Sequence, residues 1–378
     1  MLLYGQAYIT MQLSIVHPRV LATQDFTPHA ARQGIPGSEE TLLNVCKEFI
    51  RQGINVTVFT QTNIAQKYGE LLNWLPMESM HSNQWFDCLC LWSDSPSNMQ
   101  KWHNSLPNSA NICVRLVNQS NKEDLEKVLN KGRRVGISQT DWFIAHNPIL
   151  GKYPLFRWNN GINPSRFSHV TPATKVKGKI FYGSDYDRGL IHVLNHWKYL
   201  KNKYPHITLS VCYGWDIFEQ KYANAPNEAK NQMIQFKKHI ELLFQQDGIM
   251  HLGRIGHQQV DEELISSEFW FYPCTFPENC STLSLKAQAA KCIPVIIPTA
   301  GLQETVKYGL ITSQGLWNRG IGNQAILPLI LDEWTTLAEE GLDKGYSAYQ
   351  DILDANWRRT VKNYSYPQIT SSFINRFF

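Results

Sequence analysis

Residues 269–298, FWFYPCTFPENCSTLSLKAQAAKCIPVIIP, decide how this chain folds. Phe269–Pro273 is an aromatic run of strand length, and Ile293–Pro298 is a second, β-branched run. Between them lie a proline-punctuated loop and a helix that starts near Ser281, which together spell strand, loop, helix, strand. That order predicts one unit of a parallel sheet. It would bring Glu278 and the main-chain N–H groups of Cys280, Ser281 and Thr282 to a strand's carboxyl edge, where open α/β sheets bind ligands. The same residues also read as a structural loop whose Glu278 caps the helix.

The alternation continues upstream. KIFYG (179–183), a helix through LIHVLNHWKYLKN (190–202), ITLSVCYG (207–214), GIMHLG (248–253) and a short helix near VDEELISS (260–267) repeat it. The first half shows it again. Gln12–Val16 reads as a strand, SEETLLNVCKEFIRQG (38–53) as a helix capped by Ser38 and ended by Gly53, and Ile54–Thr60 as the next strand. Cys88–Trp92, Asn111–Leu116 and Arg134–Ser138 are further strand candidates, with a charged helix from about Lys122 to Asn130. FRWNNGINPSRF (156–167) has turn residues and no periodicity, so the domain boundary belongs there. The expected architecture is α/β: two Rossmann-like domains facing a cleft, residues 1–168 and 169–350, followed by a helical segment, 351–378.

Composition supports this. A chain of 378 residues, 43% apolar and 18% charged, exceeds one ordinary core and is neither disordered nor fibrous. A net charge of +4 neither demands nor excludes a nucleic-acid partner. Eight scattered cysteines without a CxxC pair read as reduced core thiols of a cytoplasmic protein. No uncharged apolar stretch exceeds strand size, so no bilayer span is expected. MLLYGQAYITM (1–11) lacks a signal peptide's pattern, and residues 1–10 read as a loose extension before the first strand.

Three more segments carry candidate chemistry. GIPGSEE (34–40), with Gly37 and Ser38, is a Gly-containing loop at a helix start, equally a diphosphate seat or an ordinary helix beginning. GSDYDRGL (183–190) sets Arg188 behind a strand, from where it forks onto phosphate or pairs with Asp185 or Asp187; the DxD spelling reads as helix capping and not as a metal site. His192 and His196 stand one turn apart without a third ligand, so they read as a helix surface, and Cys88 and Cys90 share one strand face. Trp357, Tyr364 and Tyr366 read as packing for a final helix.

Taken in order, these segments resemble the retaining glycosyltransferases of family 4, which have the GT-B fold. The matching stretches are residues 34–60, NNGINPSRF, KIFYGSDYDRGLIHVL, LSVCYGW, 251–306 and WRRTVKNY. The resemblance implies a nucleotide-diphosphate sugar (UDP- or GDP-sugar) in the C-terminal domain, an acceptor in the N-terminal one, and a final helix crossing back. It implies no other cofactor and no metal. Carried over by position, Gly37 and Ser38 sit at the donor diphosphate and Arg188 takes a basic phosphate position. Glu278 would bind the sugar's hydroxyls, Cys280, Ser281 and Thr282 would offer main-chain N–H groups, and Arg254 and Ile255 would border the base. Glu278 and Arg188 are then the expected catalytic pair.

Three departures stand out. Lys286 occupies the place of a second Glu that grips ribose hydroxyls, Ser184 replaces a basic residue, and ICVRLVNQ (112–119) lacks a His that faces the reacting centre in many relatives. The expected activity is transfer of a hexose, with retention, onto an acceptor hydroxyl of a glycan or glycolipid, with peripheral membrane association as one setting. A non-catalytic sugar- or partner-binding subunit and a nucleic-acid-modifying transferase are the alternatives.

Overall fold

The computed structural model describes residues 11–18, 26–29, 32, 34–93, 105–116, 123, 126, 129–130, 134–223, 225–315 and 324–378. The extension over residues 1–10 and most of the helix expected at 122–130 lie outside the described residues.

The first lobe is built on β1 (Gln12–His17), α1 (Gly37–Arg51), β2 (Asn55–Thr60), β3 (Gln66–Tyr68), β4 (Leu72–Pro76), β5 (Trp85–Ser93), β6 (Asn108–Leu116), β7 (Arg134–Ser138), α2 (Asp141–Ala145) and β8 (Leu155–Arg157). Its sheet runs β3-β4-β2-β1-β5-β6-β7-β8, parallel except for the β3–β4 pair. Along β5, Cys88, Cys90 and Trp92 enter one core and Leu89 and Leu91 the other, the period-2 signature of a strand buried on both faces. Cys88 and Cys90 share a face as expected. β3, β4 and β8 are too short or too polar to stand out by periodicity.

The second lobe contains β9 (Val176–Tyr182), α3 (Leu190–Lys203), β10 (Thr208–Cys212), α4 (Asp216–Tyr222), α5 (Asn227–Leu243), β11 (Ile249–Gly253), α6 (His257–Ser266), β12 (Ser267–Tyr272), α7 (Thr282–Ala289), β13 (Ile293–Ile296), α8 (Leu302–Thr305), β14 (Leu310–Ile311) and α9 (Leu327–Lys344). Its parallel sheet runs β11-β10-β9-β12-β13-β14. The chain leaves β9 toward β10 on one side and later returns to β12 on the other, so β9 and β12 flank a topological switch point, where such sheets open a crevice.

The C-terminal segment is two helices, α10 (Gln350–Tyr364) and α11 (Tyr366–Phe377), not one. Pro367, at the start of α11, has no N–H for an α10 continuation, and Ser365 between them is extended (φ −67°, ψ 143°). Ser365 bridges Ile162 of the inter-lobe segment. α10 packs on α7 of the second lobe and α11 on α1 of the first. Fully buried Phe373 lies 5.3 Å from Phe49 and 4.7 Å from Trp158, ring centre to ring centre. Tyr364 and Trp357 join the second core and Tyr366 the first, so these aromatics are packing, as expected. Among the described residues no helix is long and apolar enough to cross a membrane. All eight cysteines are free and buried.

Candidate active site

Between the lobes lies a cavity of about 500 Å³. All ten expected site residues, Gly37, Ser38, Arg188, Arg254, Ile255, Glu278, Cys280, Ser281, Thr282 and Lys286, line it.

Arg188 and Glu278 are 90 residues apart, but they follow adjacent parallel strands, β9 and β12, at the switch point. Arg188 Nη1 donates to Glu278 Oε1 at 2.8 Å, and the Tyr272 hydroxyl, at the end of β12, donates to the same oxygen at 2.6 Å. The guanidinium also lies 4.2 Å from the Phe276 ring centre. Burial pulls the Arg188 pKa down, but the Glu278 charge outweighs this and holds it well above its ordinary value. The guanidinium is therefore a fixed positive charge with its fork set at the cavity wall. Only glycine fits at 189: with φ +105° a Cβ would stand 1.9 Å from the Pro273 carbonyl oxygen, so the loops after β9 and β12 pack in backbone contact.

The salt bridge of Arg188 to Asp185 or Asp187 is replaced by this pair, and neither aspartate caps α3, whose N-cap is Gly189 without a side-chain bond. Both carboxylates instead hold Lys221, Asp187 Oδ2 at 3.0 Å and Asp185 Oδ2 closer. Ser184 Oγ faces the Tyr272 hydroxyl at 3.1 Å.

α1 and α7 bring their N-termini, Gly37 and Ser38 and Ser281 and Thr282, to the same cavity, and the partial positive charge of a helix start suits an anion. Ser281 caps α7, its Oγ accepting from Ser284 N at 3.3 Å. Gly37 is needed for the approach of the two helices, since a Cβ there would lie 2.7 Å from Thr282 Oγ1. α1 begins at Gly37, one residue before Ser38. Ser38 is therefore inside the helix and no cap, and its Oγ accepts from Trp92 Nε1 at 3.0 Å. Cys280 presents main chain and not a nucleophile, because burial pushes its thiol up to about 11. Its carbonyl accepts from Asn160 Nδ2 at 2.5 Å. At the other end, Arg254 Nε donates to Asp216 Oδ2 at 2.9 Å, and Ile255 follows on the same loop.

Lys286 is buried inside a charged cluster that joins the lobes. Its Nζ stands 2.7 Å from Glu40 Oε1 on α1, 2.9 Å from Asp261 Oδ1 and 3.3 Å from His257 Nδ1, both on α6. Arg166 Nη1 pairs with Asp261 Oδ2 at 2.7 Å. Burial raises the Glu40 pKa, but the neighbouring His257 and Lys286 overcome that and leave it well below the usual carboxylate range. Burial likewise lowers Lys286, and Glu40 with Asp261 more than reverses it.

Sequence reasoning missed Glu40, His257, Asp261, Tyr272, Lys221 and Asn160. Tyr272 could have been found from its place at a strand's carboxyl end. In the strand without a His, Arg115 is fully buried, 4.1 Å from the Trp92 ring centre, and its Nη2 donates to Asn160 Oδ1 at 2.5 Å.

Two parallel-sheet lobes facing a cleft, with a C-terminal helix returning to the first lobe, make this a GT-B fold. The similarity to solved structures of that fold runs the length of the chain. A glycosyltransferase from Rickettsia africae ESF-5 superposes with TM-score 0.63 at 13% identity, 98% of each chain being covered. Sucrose-phosphate synthase from Thermosynechococcus elongatus gives TM-score 0.67 at 11% identity over 97% of this chain and 98% of that one. Anabaena HepE in complex with UDP-glucose gives 0.60 at 12% over 97% and 99%. No family model matches the chain, and no curated protein does.

Proposed function

We propose that the protein is a glycosyltransferase that moves a hexose from a nucleotide-diphosphate sugar to an acceptor hydroxyl, with retention and without a metal. The observation that carries this is the meeting of Arg188, Glu278 and the N-termini of α1 and α7 on one inter-lobe cavity. A leaving diphosphate needs fixed positive charge and N–H donors where its charge accumulates, and this wall supplies both. HepE, with UDP-glucose, and a trehalose-6-phosphate enzyme from E. coli bound with UDP-2-fluoro glucose carry such donors on the same fold.

In this reading the donor sits in the lobe of residues 169–350, the acceptor in that of 1–168, and 351–378 ties them. Glu278 orients the sugar hydroxyls, and Arg188, released from part of its pairing, takes the phosphate oxygens. The acceptor attacks the face the diphosphate leaves. The anomeric carbon–oxygen bond to phosphate breaks, the bond to the acceptor oxygen forms, and the acceptor's proton passes to the departing phosphate oxygen. No histidine is required. The acceptor is a glycan or glycolipid, and eight buried free thiols fit a cytoplasmic setting.

The test is hydrolysis or transfer from a panel of nucleotide-sugars. Glu278→Ala and Arg188→Ala should each lower the rate at least 100-fold, about 2.7 kcal/mol of barrier. Unchanged rates in both would reject the roles.

A further inference from the structure

Tyr213 follows the last residue of β10 and lines the cavity. β10 pairs with β9, so the loop that Tyr213 begins lies beside the one that carries Arg188. Its backbone is held at φ 138°, in the region that favours glycine, and Gly214 after it is at φ +80°. Two hydrogen bonds keep the chain there: Tyr213 N donates to the Gly253 carbonyl at 2.9 Å, and Gly214 N donates to the Tyr186 hydroxyl at 3.0 Å. A glycine at 213 would take this conformation without strain, so what the tyrosine adds is its side chain. Strain of this kind persists only where the surroundings over-determine it, and it gathers at ligand sites.

The side chain is half-buried, and the Arg254 guanidinium stands 5.3 Å from the ring centre. Among the described residues nothing hydrogen-bonds the hydroxyl. Burial raises its pKa against the pull of Arg188, Arg254 and Lys221, so it stays a protonated O–H donor. Asp185, the carboxylate that also acts on it, is already committed to Lys221. A free O–H donor on a cavity wall, with three cationic side chains around it, suits an anion and not a second cation.

We infer that Tyr213 is a further substrate-contacting residue of the transfer: its hydroxyl donates a hydrogen bond to the diphosphate of the nucleotide-sugar beside Arg188, and the strained backbone at 213 holds it there. This rests on the nucleotide-sugar reading above and deepens it. As the bond from the anomeric carbon to the phosphate oxygen breaks, charge grows on the diphosphate and strengthens this hydrogen bond, so the hydroxyl acts on the leaving group and not on the sugar.

Tyr213→Phe removes the hydroxyl and keeps the ring. Calorimetric titration of wild type and variant with UDP and GDP, each beside its bare nucleoside, tests the assignment. Tyr213→Phe should bind the diphosphate about 10- to 100-fold more weakly, and the nucleoside as the wild type does. Its Tm without nucleotide should match the wild type's. Equal diphosphate affinity in the two proteins overturns the assignment. So does an equal loss for the nucleoside, which would put the hydroxyl on ribose or base, and so does a marked fall in Tm, which would give the hydroxyl a partner inside the protein. Binding of neither nucleotide by the wild type removes the nucleotide-sugar reading and this assignment with it, a result distinct from equal affinity in the two proteins.

Discussion

Replacing Lys286 by methionine separates a residue that serves the ligand from one that ties the lobes. The side chains of Lys286, Glu40 and Asp261 are 5%, 4% and 6% exposed, and the ammonium sits 2.7 Å and 2.9 Å from the two carboxylates. Removing one partner of a buried ion pair costs about 3–5 kcal/mol, because the opposite charge stays buried and uncompensated. Here Arg166 remains on Asp261 at 2.7 Å and His257 on Glu40 at 3.0 Å, so the lower end, about 3 kcal/mol, is expected. For lobes of this size about 2–4 °C accompanies each kcal/mol, which gives a fall in Tm of roughly 6–12 °C. Differential scanning calorimetry without nucleotide measures it. Lys286→Met combined with Glu40→Gln should cost about 1–3 kcal/mol less than the sum of the two single changes, since each removes the same pair. A Lys286→Met protein as stable as the wild type, or strict additivity of the pair, would refute the tie. The same pair sets a pH window. Glu40 is held below its ordinary value of 4.5, so its contribution is present above that pH and is lost as pH falls through the lowered value. Lys286 is held above 10.5, so its contribution is present below that pH and lost as pH climbs past the raised value. The stability difference between wild type and Lys286→Met should therefore shrink as pH falls through the lowered Glu40 value and again as it climbs past the raised Lys286 value.

Gly37→Ala places a Cβ 2.7 Å from Thr282 Oγ1, and should weaken nucleoside diphosphate binding at least tenfold in calorimetry while the bare nucleoside is little affected. Phe373→Ala empties a fully buried site between Phe49 and Trp158, and should destabilise the first lobe by about 3–5 kcal/mol in urea unfolding. Asn160→Ala cuts the link from Arg115 to the Cys280 carbonyl, and should cost about 1–3 kcal/mol of stability, read as a shift in the urea midpoint. Because all eight thiols are buried, native protein should react with a thiol reagent at pH 8 far more slowly than protein in denaturant.

Much of this architecture was legible because strands buried on both faces write themselves as apolar runs, and helices between them as 3.6-residue periodicity. The 269–298 stretch located the strand, loop and helix because proline and serine punctuate it where the strand ends and α7 begins. Strand order was not legible: nothing local to KIFYG or FWFYP says that β9 and β12 are neighbours, yet that adjacency is what makes Arg188 meet Glu278. Lys286 was read against a single missing carboxylate. Its partners Glu40 and Asp261 lie 246 and 25 residues away in sequence and come together only by folding. Ser38 was misread as a cap because Pro36 and Gly37, which start the helix, leave it one turn position too late. The break at Ser365 was foreseeable from Pro367, but the amphipathic pattern runs through it.

Titration of UDP and GDP into wild-type protein and into Arg188→Met by calorimetry bears most directly on the central claim, that the inter-lobe cavity seats a nucleoside diphosphate on Arg188. One nucleotide should bind the wild type at one per chain, and Arg188→Met should bind it about 10- to 100-fold more weakly. Binding of neither nucleotide, or equal affinity in the two proteins, would contradict it.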